Sequence, residues 1–211
     1  MIYIVHRCNT TGSFTALSKR FGVEIDLRSN VLKAGEIHLS HDPWRLGEYF
    51  ESWLQGFVEY DMKGPIILNT KEDGLEKRVI ELLKKFRLKN WFFLDTAIPT
   101  LIHWTQLKKE TRFAARISCY ENLDFIEKLK VKPEWVWVDC FNGLPIDEKI
   151  LSELGKNYKI CLVSPELHGH HHEDLTKFQN LFKQADAVCT KSPTQWQSLE
   201  ASVFPNHHTT P

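Results

Sequence analysis

Val23-Glu24-Ile25-Asp26-Leu27-Arg28 decides how this chain is read. Side chains alternate faces along a strand, so Val23, Ile25 and Leu27 share an apolar face while Glu24, Asp26 and Arg28 share the other. Two arrangements satisfy that alternation. The polar face meets water, or it lines the inside of a closed sheet whose outer face is covered by helices. In the second case two carboxylates stand in an interior, which is costly unless something compensates them. A hard divalent cation, Mg²⁺ or Ca²⁺, is the simplest compensation, because both take oxygen ligands.

Outward from that stretch, short β-branched or aromatic runs alternate with amphipathic segments. Strands are expected near 2–6, 23–28, 37–41, 66–70, 91–96, 113–118, 135–140, 159–164 and 187–190. In 74–86, Leu75, Val79, Leu82, Leu83 and Phe86 recur at helical spacing with Lys and Glu between them. Segments 13–21, 123–129, 147–154 and 174–182 read similarly. Such alternation implies a parallel sheet covered by helices. Nine runs are one more than an eight-stranded barrel needs. Arg28 and Ile37 are too close in sequence for a crossover helix, so the third run is expected to return as a hairpin against the second. The expected fold is therefore α/β, a (β/α)8 TIM-type barrel with a β-hairpin extension after the second strand. It forms a single domain over 1–200, followed by a tail over 201–211. An open Rossmann-like sheet is the alternative, but no Gly-x-Gly-x-x-Gly follows any strand.

Bulk properties narrow the function. The 211 residues suffice for one domain with a substantial core. Lys plus Arg and Asp plus Glu both total 27, which removes the electrostatic grounds for a nucleic-acid partner or an anionic membrane. Five cysteines without a CxxC pair argue against a disulfide framework or zinc ribbon and for free, buried thiols. No signal-peptide pattern and no transmembrane-length apolar run is visible, so a cytoplasmic protein is expected. Its oligomeric state is not legible.

The chemistry gathers at strand ends. His6-Arg7 closes the first strand and His41-Asp42 closes the hairpin return, both at the C-terminal rim where barrel enzymes work. Two histidines flanking a metal-bound phosphate act as general base and general acid, and an arginine grips phosphoryl oxygens in pairs. This company favours the inward-facing reading of Glu24 and Asp26.

His6-Arg7, then Glu24-x-Asp26, then His41-Asp42 resembles the signature of the glycerophosphodiester phosphodiesterase family, part of the superfamily containing phosphatidylinositol-specific phospholipase C. Asn69-Thr70-Lys71 stands where that family usually has Glu-x-Lys, and the segment from Asp186 to Pro193 looks like its final strand. The resemblance implies a small-molecule phosphodiester substrate and catalysis by His6 and His41. It also implies a divalent cation held by Glu24 and Asp26, with Asn69 in the third ligand position. Cys8 replaces the usual glycine, the Pro-Glu-Asn-Thr loop is missing, and Asn69 lacks the charge of the usual acid, which weakens cation binding. A second expectation follows: a catalytically weakened barrel that binds a phosphorylated metabolite as sensor or scaffold.

Further rim candidates are Lys71 and Arg116 as substrate-phosphate contacts and Asp95 or Asp139 as the charge Asn69 lacks, although for any one of them alone a structural salt bridge within the barrel is the commoner role. Ser118 and Glu166 stand nearby. His168-Gly169-His170-His171-His172 reads as a solvated or substrate-touching loop rather than a zinc site. Glu173 or Asp174 is expected to start the next helix. Trp44, Phe50, Trp53, Leu54 and Phe57 are expected to pack on the barrel rather than on a membrane.

Overall fold

The computed structural model describes residues 1–122 and 124–204, apart from the side chains of residues 172 and 173. Among these residues nine strands form. They are β1 (Ile2–Val5), β2 (Gly22–Ser29), β3 (Ile37–Leu39), β4 (Ile66–Thr70), β5 (Trp91–Leu94), β6 (Ala114–Ile117), β7 (Trp135–Val138), β8 (Lys159–Val163) and β9 (Ala187–Thr190). Eight of them pair in parallel in the order β5-β4-β2-β1-β9-β8-β7-β6. The two ends of that sheet meet at a parallel bridge between Phe93 and Phe113, where the Phe93 N–H reaches the Arg112 carbonyl at 2.9 Å. One bridge makes a nearly closed barrel. β3 runs antiparallel to β2, with Leu27 opposite Leu39 and Ser29 opposite Ile37. The eight-stranded barrel with a hairpin after its second strand is the architecture the sequence implies.

Alternation along each strand builds two apolar regions. Val23, Ile25 and Leu27 face outward into the core that the helices cover. Ile4, Ile67, Phe92, Trp135 and Cys189 point inward and fill the lower barrel, with Phe92 stacked on Trp135 at 4.6 Å between ring centroids. Polar inward positions lie nearer the strands' C-terminal ends. That division leaves a packed floor beneath a polar mouth.

Helices α1 (Phe50–Glu59), α2 (Glu76–Lys85), α3 (Ile98–Ile102), α4 (Asp124–Glu127), α5 (Glu148–Leu154) and α6 (Pro193–Val203) flank the strands. α2 and α5 match the periodic segments. The expected helix over 13–21 is only a 3₁₀ turn over Thr11–Ala16, and 174–182 lies in a 3₁₀ stretch over His172–Leu181. α6 carries too little periodicity to be read, because Trp196 is its one buried residue. α1 buries Phe50, Trp53, Leu54 and Phe57 against the barrel, whereas Trp44 stands 93% exposed at φ 64°. The aromatic run therefore divides between core and surface. Of the five free cysteines, Cys119 is exposed and the other four are buried. Residue 123, the His207-His208 pair and the tail beyond Phe204 lie outside the described residues. Among the described residues no helix is long and apolar enough to cross a membrane.

Candidate active site

Glu24 and Asp26 are both fully buried and both face the barrel interior. β4 lies beside them in parallel register, with Asp26 opposite Asn69. The Asn69 amide donates to Glu24 Oε1 at 2.9 Å. From the other side comes the end of β1. Arg7 adopts φ 55°, a conformation uncommon for a residue with a Cβ, and this turn aims its backbone N–H at Glu24 Oε2 at 2.7 Å. The N–H of Cys8 continues the ladder to the Glu24 carbonyl at 2.8 Å, and the Trp53 indole N–H holds the Cys8 carbonyl at 2.9 Å. Helix α1 thus braces the loop that carries His6 and Arg7.

Asn9, which the sequence reading passed over, clamps Asp26 twice. Its side-chain amide donates to Asp26 Oδ2 at 2.8 Å, and its oxygen accepts the Asp26 backbone N–H at 2.9 Å. A lone asparagine in a loop carries no spacing signal; only the fold brings it to Asp26. The Arg7 guanidinium reaches the same carboxylate at 3.9 Å, and Lys71 Nζ lies 3.1 Å from Asp26 Oδ1.

Burial pushes the Glu24 carboxyl up to about 7. The Asp26 charge adds to the rise, while the Arg7 N–H, the Asn69 amide and Lys71 pull against it. His6 follows Glu24 closely, its Nε2 3.8 Å from Glu24 Oε2. That distance is too long for a hydrogen bond. Burial, and then the neighbouring Arg7 charge, lower the imidazole to about 4, so at neutral pH this contact is no ion pair. His6 Nδ1 is buried without a hydrogen-bond partner.

Two oxygens of this cluster are also buried and unsatisfied: Asp26 Oδ1, which Lys71 approaches off the hydrogen-bonding direction, and Asn69 Oδ1. Buried acceptors without donors are rare, and here two of them, on Asp26 and Asn69, stand beside the buried Glu24 carboxyl. Such a donor set suits a hard cation. Among the described residues no group of three or more His, Cys, Asp or Glu is placed to hold a metal. A cation here would meet two acids and one amide.

The remaining rim charges form an arc. Lys71 stands between Asp26 and Asp95, 3.8 Å from the latter. Arg116 Nη1 donates to Asp95 at 2.6 Å, and Arg116 Nε and Nη2 donate to Asp139 Oδ2 at 2.9 and 2.6 Å. Asp139 Oδ1 then meets His168 Nε2 at 3.1 Å. Three N–H groups of Arg116, whose side chain is 31% exposed, are thus held by carboxylates. Asp95 and Asp139 are its partners. Glu166 accepts from Thr190 Oγ1 at 2.5 Å and from the Lys191 N–H at 3.1 Å, with Ser164 on its other oxygen. Ser118 bonds Glu121 outside this arc.

His41 is placed less directly. β3 descends along the edge of β2 above β1, and the Ser40 N–H bonds the Asp26 carbonyl at 3.0 Å. His41 follows directly, past the C-terminal end of β3. The loop behind it packs so closely that a Cβ on Gly47 would come within 1.7 Å of the Leu39 carbonyl oxygen. The His41 ring, however, is 43% exposed and bonds Asp42 at 2.9 Å. Among the described residues no hydrogen bond or ion pair ties it to His6, Glu24 or Asp26. In the histidine-rich loop, His168 is held by Asp139 and His170 by the Phe141 carbonyl at 2.9 Å.

Solved structures of similar fold are described as phosphodiesterases. A protein assigned as a glycerophosphodiester phosphodiesterase from Galdieria sulphuraria matches with a TM-score of 0.73 at 19% identity, over 94% of this chain and 98% of that one. The fold is that of the glycerophosphodiester phosphodiesterases. An Oleispira antarctica phosphodiesterase, solved with the product sn-glycerol-3-phosphate, matches at TM-score 0.66 and 16% identity over 94% and 96% of the two chains. One assigned as a glycerophosphoryl diester phosphodiesterase from Agrobacterium tumefaciens matches at 0.69 and 14%, over 96% and 98%. No family model and no curated protein matches the sequence.

Proposed function

We propose that the chain is a divergent member of the glycerophosphodiester phosphodiesterase family. Its reaction is hydrolysis of a glycerophosphodiester-like substrate, assisted by a divalent cation, to a phosphomonoester and an alcohol. The observation that carries this reading is the cluster at the barrel mouth. Two buried carboxylates and an amide meet there, with unsatisfied oxygens on Asp26 and Asn69, the His6 imidazole beside them and Arg7 and Lys71 at the edge. The product bound by the Oleispira neighbour, a glycerol phosphomonoester, fits the same chemistry.

Glu24, Asp26 and Asn69 would hold the cation, which when bound neutralises charge on a phosphate oxygen. Arg7, 44% exposed, is free to turn its guanidinium toward the other phosphate oxygens. His6, uncharged at neutral pH because it is buried, accepts the proton of the attacking water. A second imidazole returns a proton to the leaving alcohol, and His41 is the group that the family resemblance nominates. Lys71 and Arg116 shape the mouth through the carboxylates they engage.

A specific observation favours the second reading, a weakened barrel that binds a phosphorylated metabolite. Lys71 already lies against Asp26, where it offsets charge that a cation would otherwise offset. One assay separates the two: hydrolysis of bis-p-nitrophenyl phosphate and of glycerophosphodiesters with Mg²⁺, Ca²⁺ or Mn²⁺, compared with His6→Ala and Glu24→Gln. Metal-dependent turnover lost in both variants supports the enzyme. No turnover with any ion, or turnover indifferent to both substitutions, ends that reading.

A further inference from the structure

The hairpin joining β2 to β3, and the segment that follows β3, carry apolar side chains that the fold does not use. Asn30 Oδ1 accepts the Leu32 N–H at 2.9 Å and Gly35 turns the chain at φ 80°, so polar and backbone contacts fix the hairpin tip. Trp44 is held at φ 64°, a backbone conformation rare for a bulky residue. Val31, Leu32, Trp44 and Leu46 are each more than half exposed. Together with Pro43 they line one cavity of about 370 Å³, a size that small-molecule sites share. An exposed apolar surface gathered around a cavity in this way is a mark of ligand binding.

Arg28 lines the same cavity. It follows Asp26 by two residues on β2, so the two share the inner side of the strand. Its Nη2 donates to the His41 carbonyl at 2.9 Å, which ties it to the rim. Its Nε is buried without an acceptor, and among the described residues no carboxylate forms an ion pair with it. A buried guanidinium N–H without a partner is rare and favours an anionic acceptor. Glu72 also lines the cavity, with its carboxylate on the Ser29 N–H, and its neighbour Lys71 lies 3.1 Å from Asp26 Oδ1. The cavity therefore adjoins the carboxylate cluster, and Arg28 belongs to both.

We propose that this cavity takes an apolar chain of the substrate while Arg28 grips an oxygen of its phosphodiester. The proposal rests on the phosphodiesterase reading and names its substrate class: a glycerophosphodiester bearing one alkyl or acyl chain. Phosphate and chain are then recognised separately. Arg28 gives a charge-assisted hydrogen bond that a chainless substrate also receives. The chain adds discrimination, because methylenes laid against Val31, Leu32, Trp44 and Leu46 leave water together with those side chains. The charges bordering the patch are paired, Arg45 with Asp42 at 3.3 Å and Lys33 with Glu36. That neutral border suits a single chain entering a cavity better than an anionic bilayer, which is held by unpaired basic residues.

Chain dependence tests the assignment. Decanoyl-glycerophosphocholine, kept below its micellar concentration, should exceed glycerophosphocholine in kcat/KM by roughly 10²-fold, as burial of about four methylenes gives. Trp44→Ser combined with Leu46→Ser should cut that ratio to less than about fivefold, through KM. Arg28→Met should lower kcat/KM on both substrates by roughly 10–10²-fold and keep their ratio, with only partial recovery in Arg28→Lys. Calorimetric titration with decanoyl-glycerol phosphate and with sn-glycerol 3-phosphate follows binding without turnover. The same preference of roughly 10²-fold, and its loss in the double variant, are expected there. Equal rates and equal affinities with and without the chain would overturn the proposal while leaving the phosphodiesterase reading intact. So would a preference confined to micellar concentrations, which means a lipid surface, or one that survives the double variant. A dimer that the double variant dissolves would assign the patch to a second copy and overturn it too. No turnover with any ion, with chain-dependent binding retained, would remove the phosphodiesterase reading and keep the chain-binding cavity.

Discussion

Separate removal of His6 and of Glu24 should give stability curves that slope in opposite directions with pH. In the folded chain Glu24 titrates at about 7 instead of 4.5, chiefly because it is buried. Between those values the unfolded carboxylate has lost a proton that the folded one keeps, so stability falls as pH rises through the window. His6 is displaced the other way, from 6.5 to about 4. There the unfolded imidazole takes a proton that the folded one refuses, so stability falls as pH drops. Each displacement is worth about 3 kcal/mol at full extent. In the wild type the two nearly cancel from about 4.5 to 6.5, the range both windows share. Urea denaturation in EDTA from roughly pH 4 to 8 exposes them. His6→Ala leaves Glu24 alone and should gain about 3 kcal/mol as pH is lowered from 7 to 4.5. Glu24→Gln leaves His6 alone and should lose about 3 kcal/mol as pH is lowered from 6.5 to 4. Parallel curves for the two variants would refute the reasoning, because they would mean that burial does not hold these groups apart.

Four further outcomes follow from the same geometry. Asn69→Asp keeps the side chain's shape but replaces the donor 2.9 Å from Glu24 with a carboxylate. In EDTA it should cost about 3–5 kcal/mol, or about 10 °C in melting temperature, and saturating Mg²⁺ should recover most of this; thermal melts with and without the ion decide it. Asn69→Glu should raise metal-dependent turnover by adding the missing charge, and lower turnover at saturating Mg²⁺ would count against the cation site. Asn9→Ala strips Asp26 of two hydrogen bonds and should cost about 2–4 kcal/mol in a urea titration. Trp53→Phe keeps most of the ring but frees the Cys8 carbonyl, and a loss of about 1–2 kcal/mol in the same assay is expected.

The sequence by itself determined the barrel. Strand periodicity fixes which side chains face which way, and the close spacing of Arg28 and Ile37 leaves a hairpin as the only return, so nine runs resolve into eight parallel strands and β3. It also determined that Glu24 and Asp26 share one face, since that depends only on alternation, while the structure decides that this face is the buried inner one. Tertiary structure alone decided what surrounds them. Asn9, Asn69 and Lys71 reach the pair because β1 and β4 flank β2, and no local pattern encodes which strands become neighbours. A salt bridge is the expected role for any one of Arg116, Asp95 and Asp139, but only the curvature of the barrel decides that these three pair with one another. His168 drew notice as one of several histidines in a loop, and only the end of β7 singles it out by setting a buried carboxylate against its ring. Periodicity is a property of a single segment, whereas charge pairing at the mouth depends on distances between segments, which closure of the sheet sets.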